Sequence, residues 1–96
     1  MPFQLKLKQA AAKDLYKLVK KNKSLGRVII NQVLPEMVDK PFQGKMKQGD
    51  LSRFRSWDFN FKGTAYRVLY ELEGDLVRIF AIGIHDVSYR KAKSRT

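Results

Sequence analysis

Over residues 56 to 83 the chain is a succession of segments that read as β-strands, and this most narrows what it can fold into. Trp57, Phe59 and Phe61 alternate with Ser56, Asp58 and Asn60, which puts rings on one face and short polar groups on the other. "AYRVLYELE", residues 65 to 73, and "DLVRIFAIG", residues 75 to 83, follow, rich in the β-branched and aromatic residues that suit a pleated, half-buried surface. Gly74-Asp75 reads as a short hairpin turn, since glycine supplies the positive backbone dihedral such a turn needs. Strands joined this tightly pair antiparallel, and the sheet they form must bury one face.

The cover for that face is encoded upstream. "FQLKL", residues 3 to 7, places Phe3, Leu5 and Leu7 at period two and reads as a first strand. From Gln9 the period becomes helical: Leu15, Leu18 and Val19 share one side, and Lys13, Lys17, Lys20 and Lys21 lie mainly on the other. This helix ends near "KKNKS". Ser24 is the expected cap of a second helix, whose stripe is Val28, Ile29, Val33 and Leu34, continued by Met37 and Val38 if the helix survives Pro35. Proline removes a helical hydrogen bond and disfavours helical geometry at Leu34, so a kink or a stop is expected there. Residues 39 to 52, "DKPFQGKMKQGDLS", read as a surface loop, and "SYRKAKSRT" as a basic tail with room for a short helix. The expected fold is therefore α+β, ordered β-α-α-β-β-β: a helical pair on one face of a small, mainly antiparallel sheet.

With 96 residues the chain is expected to be one domain, folding alone with modest stability. It has no cysteine, one histidine and nine carboxylates, so disulfides, thiolate zinc sites and cysteine nucleophiles are excluded, and neither a metal-ligand cluster nor a cofactor motif is visible. No run reaches the ~18 apolar residues of a membrane span, and the first residues lack the apolar core of a signal peptide. A soluble protein of the reducing cytoplasm is expected. Twenty Lys and Arg give a net charge of +11, which favours a polyanionic partner; charge alone does not choose among RNA, DNA, an acidic protein and an anionic membrane.

The sheet gathers the residues able to do chemistry. Asp58 and Asn60 share the polar face of one strand, Arg67 lies near the start of the next, and His85, the sole histidine, follows the last, with Tyr89 four residues on. Neighbouring strands lie about 5 Å apart, so these groups can converge on one surface. Metal-free cleavage of RNA needs such a set: a base for the ribose 2′-hydroxyl, a permanent cation for the phosphorane, and an acid for the leaving 5′-oxygen. Each member also has a plain alternative. Arg67 can pair with Glu71 or Asp58, Tyr89 can close the core, and Asp58 can be a cross-strand ion-pair partner. Lys45, Lys47, Arg53 and Arg55 on one side, with Arg90, Lys91 and Lys93 beyond the cleft, are the expected contacts to RNA phosphates, beside Asn60.

"KPFQGKMKQGDLSRFRSW", then "AYRVLYELEGDLVRIFAIG", then a histidine and "YRKA", resemble the toxins of the RelE/ParE superfamily of bacterial toxin-antitoxin pairs. The resemblance is strongest from Lys40 to Ala92, and its most specific piece is "YR" followed by an aliphatic pair and "Y". For the RelE, YoeB and YafQ branches it implies mRNA cleavage in the A site of the 70S ribosome, translation arrest, and neutralisation by a cognate antitoxin. By the same resemblance Arg67 contacts the scissile phosphate, while His85 and Tyr89 match the histidine and aromatic of the YafQ-like branch. The lysines that RelE carries on the strand before "YR" are replaced here by Ser56, Asp58 and Asn60, which makes Asp58 the candidate base. ParE-type members share the fold but inhibit DNA gyrase without catalysis, and an inactive member would retain antitoxin binding alone.

Overall fold

A computed structural model of the chain describes residues 3–46 and 53–84. Gln4–Leu7 forms β1, which turns Phe3, Leu5 and Leu7 toward the core and leaves Gln4 and Lys6 exposed. Helix α1, Gln9–Lys21, buries Ala11 and Asp14 and packs Leu15 and Leu18 against the same core. At Asn22 the backbone becomes extended, and the Asn22 carboxamide oxygen accepts the Leu25 N–H at 3.1 Å to start α2, Lys23–Val28. The expected cap at Ser24 is thus displaced two residues, because Ser24 already lies inside the helix.

The helix does not stop at Pro35. A single π-helical turn over Ile29–Val33, closed by the Leu34 N–H on the Ile29 carbonyl, leads into α3, Leu34–Asp39, with Pro35 as its second residue. The wider turn absorbs the proline, and the apolar stripe runs on to the buried Met37.

The segment expected to be a loop is partly ordered by tertiary contacts. Pro41–Gln43 makes a 3-10 turn, and Lys45–Met46 forms β2, paired antiparallel with Arg55 and Ser56. The buried Tyr70 hydroxyl donates to the Pro41 carbonyl at 2.6 Å and accepts the Gly44 N–H at 3.2 Å. Arg55 donates to the carbonyls of Phe42 and Gly44, both at 3.1 Å, and its guanidinium lies over the Phe42 ring. Only glycine fits at position 44, since a Cβ there would overlap the Tyr70 hydroxyl.

Strands β3, Arg55–Phe61, β4, Thr64–Glu73, and β5, Leu76–Ile84, are those expected, each within a residue or so of its bounds. Lys62 and Gly63 join the first two with positive φ values of 49° and 83°, as a tight two-residue hairpin requires. The sheet order is β1-β5-β4-β3-β2, with β1 parallel to β5 and the other pairs antiparallel.

The helices cover one face, where Ile29, Val33, Met37, Trp57, Val68, Tyr70, Ile79 and Ile82 form the main core. On the opposite face Phe54, Leu69, Phe80 and Ala81 make a smaller cluster. A bulge opposite Leu69 and Tyr70, which pair with Ala81 and Ile79, shifts the alternation so that Phe80 and Ala81 both join that cluster.

Candidate active site

Alternation along β3 sends Trp57 and Phe59 into the main core and leaves Ser56, Asp58 and Asn60 on the face away from the helices. In β4 the same rule puts Tyr66, Val68 and Tyr70 inward and Arg67 outward. The two-residue turn sets the register so that Asp58 stands directly opposite Arg67. Their side chains meet as a fork: Arg67 Nε donates to Asp58 Oδ1 at 2.6 Å and Nη2 to Oδ2 at 3.0 Å. Ser56 Oγ donates to the same Oδ1 at 2.5 Å. Of the two partners foreseen for Arg67, the structure selects Asp58; Glu71 instead binds Arg53 at 2.9 Å.

Burial within this pair is uneven. The Arg67 side chain is 7% exposed and that of Asp58 43%, so the cation is held at depth by a carboxylate that reaches solvent. A bidentate guanidinium–carboxylate pair fixes both distance and plane, which is the arrangement by which arginine also recognises a phosphate. Both Asp58 oxygens already accept hydrogen bonds, leaving less lone-pair capacity for taking up a proton. Ser56 completes the cluster. Its position, two residues from Asp58 on the same polar face, was the signal in the sequence.

Asp58 and Asn60 also border a cleft of about 400 Å³ along β3, walled on the far side by Val28, Gln32, Val33 and Glu36 of the helical layer and by Gln43, Gly44 and Lys45. Of the expected RNA contacts, Lys45 and Asn60 are exposed at this cleft. Arg53 pairs with Glu71 while lying over the Phe54 and Phe80 rings, and Arg55 clasps residues 42 and 44. Lys47, His85, Tyr89, Arg90, Lys91 and Lys93 lie outside the described residues. Gly83 is the cross-strand neighbour of Arg67 on β5, and Ile84 ends that strand. Among the described residues no group of three or more His, Cys, Asp or Glu is placed to hold a metal ion, and no helix is long and apolar enough to cross a membrane.

Solved structures share this architecture. The toxin-antitoxin complex RelBE2 from Mycobacterium tuberculosis matches with a TM-score of 0.71 at 22% identity, over 88% of this chain and 100% of that one. A free-state arginine-to-alanine double mutant of the Escherichia coli toxin RelE matches with a TM-score of 0.69 at 19% identity, over 99% of this chain and 98% of that one. The solution structure of a conserved hypothetical protein from Helicobacter pylori, HP0894, matches with a TM-score of 0.59 at 25% identity, covering 88% and 96%. No curated protein matches the sequence. The family model described as "ParE-like toxin of type II bacterial toxin-antitoxin system" matches residues 5–93, nearly the whole chain, and the protein accordingly belongs to that family of toxins.

Proposed function

We propose that this toxin is a ribosome-dependent mRNA endoribonuclease that is held inactive by a cognate antitoxin. The observation that carries the reading is Arg67: a permanent cation, fixed in plane by Asp58, on the sheet face away from the helices. His85 follows two residues after Gly83, the neighbour of Arg67, and two residues of chain span at most about 7 Å. A permanent cation and a proton-transferring imidazole are two of the groups that in-line attack on a phosphodiester needs.

In this reading the 2′-oxygen attacks phosphorus and loses its proton to a base while the bond to the 5′-oxygen breaks. The leaving oxygen takes a proton from an acid, giving a 2′,3′-cyclic phosphate and a free 5′-hydroxyl. His85 serves as acid or base, Arg67 offsets charge on the phosphorane, and Tyr89 stacks on a base or lends its hydroxyl. Asp58 aims the guanidinium, and an incoming phosphate replaces its oxygens on the same fork. A free carboxylate as base requires that exchange first.

The second reading is non-enzymatic inhibition of DNA gyrase, favoured by the ParE-like description of the matching family. One paired assay separates the two. Purified toxin is incubated with mRNA-programmed ribosomes and, in parallel, with gyrase and relaxed plasmid. Cleavage with cyclic-phosphate ends, lost on His85→Ala, supports the nuclease; intact mRNA with blocked supercoiling replaces it with the gyrase reading.

A further inference from the structure

Charge on the helical layer is arranged differently from charge on the sheet. Lys13, Lys17 and Lys20 stand on the outward face of α1 with Lys21 at its flank, and Lys6 and Lys8 extend the row across the end of β1; all six are exposed. The ion pairs among the described residues, Arg53–Glu71, Arg67–Asp58 and Arg78–Glu73, leave this row untouched. The one acid in α1, Asp14, is buried and accepts the Ile82 N–H at 3.2 Å. Like charges one turn apart destabilise a helix, and lysines beside a helix N-terminus oppose its dipole. Lys6, Lys8 and Lys13 nevertheless converge on a cleft of about 540 Å³, lined also by Gln9 and Phe80 and by no carboxylate. In the middle of the row Tyr16 is 66% exposed, with the Lys20 ammonium 6.0 Å from its ring.

We propose that this row is a second RNA-binding surface, taking a single-stranded segment whose phosphates follow the lysines and one of whose bases stacks on Tyr16. Four helical residues rise about 6 Å, so the cations repeat along a line and suit a chain of anions rather than one ion. An exposed ring set among cations is what an unstacked base uses. An acidic protein would neutralise the lysines without a use for the ring. A lipid surface would need apolar side chains beside them, whereas Leu15 and Leu18 turn into the core. Lys13, Lys17 and Lys20 lie on the helical side of the sheet, whereas Lys6 and Lys8 carry the row round the edge strand β1 onto the face of Phe80, two strands away from Arg67 on β4, and the inference does not rest on the catalytic reading.

The test uses the full chain in an Arg67→Ala background, which keeps the RNA intact. Binding of a labelled 12-nucleotide single strand is followed by anisotropy across a salt titration, with folding checked by circular dichroism. Replacing Lys13, Lys17 and Lys20 together by Gln should flatten log K against log salt by about 2 units, at about 0.7 per lost contact. Tyr16→Ala should weaken binding about tenfold with the slope retained, and Tyr16→Phe should bind like the parent. An unchanged slope in the triple variant overturns the proposal. So does a poly-glutamate peptide that binds the row as tightly as the RNA while RNA binding ignores Tyr16, which would make this face one for an acidic protein.

Discussion

Arg53, Arg67 and Arg78 each meet a carboxylate within 3.0 Å, whereas Lys13, Lys17 and Lys20 on the helical layer meet none among the described residues. The contrast follows from the two kinds of secondary structure. Strand pairing sets side chains of adjacent strands face to face, so a cation on β4 is offered a carboxylate from β3. The outward face of α1 offers each lysine other lysines one turn away and no acid. The planar Arg67 guanidinium, in its two-pronged bond to Asp58, is preorganised for a defined task, while ammonium groups on flexible stems remain available to whatever anion arrives. One molecule thus carries a positive site that is aimed and a positive surface that is not.

The largest expected effect tests the aimed site. Arg67→Ala should lower mRNA cleavage on programmed ribosomes about 100- to 1000-fold, and Arg67→Lys should recover little, because a point charge does not reproduce the fork. Recovery by lysine to within a few-fold would erase the distinction between the two regions, reducing Arg67 to its charge.

Next is the anchoring of the segment that Tyr70 and Arg55 hold against the sheet. Tyr70→Phe leaves the Pro41 carbonyl and Gly44 N–H without their buried partner, a loss of about 1–3 kcal/mol measurable by urea unfolding. Burial raises the Tyr70 pKa above its usual value, opposed by the Gly44 N–H and the Arg55 charge. Folding therefore favours the protonated phenol. Its contribution is complete below the ordinary tyrosine pKa and fades as pH rises through the raised value, so wild type and Tyr70→Phe should converge in alkali. Parallel unfolding curves across that range would count against this account of the hydroxyl.

Asp58→Asn sharpens the role of the carboxylate. If Asp58 aims Arg67, the amide, which retains one acceptor oxygen, should cost about tenfold in cleavage; a loss beyond a hundredfold would make Asp58 the base. The smallest effect belongs to the helical layer. Lys17→Gln removes repulsion with Lys13 and Lys21 and should raise stability by about 0.2–0.5 kcal/mol per relieved pair, a gain that added salt abolishes. A loss of stability there would show that the lysines are not mutually strained.

Period-two alternation around Trp57, Phe59 and Phe61, helical spacing through Leu15 and Leu18, and the Gly74 turn were legible because each depends on backbone geometry within a few residues. Legible for the same reason were the basic excess and the polar face that holds Ser56, Asp58 and Asn60. Which of Asp58 and Glu71 would bind Arg67 was not legible, because the answer is a cross-strand register set by the turn at Lys62 and Gly63. Nor were β2 and its 3-10 turn, which form because Tyr70 and Arg55 reach back 26 to 29 and 11 to 13 residues to hold them. The continuation past Pro35 needed a π turn whose cost the buried Met37 and the sheet beneath offset. By itself, then, the sequence determined the elements, their faces and the sign of the surface. Tertiary structure alone decided which charges pair with which among the described residues, because pairing depends on distances between residues far apart in the chain, and those exist only once the sheet has chosen its register.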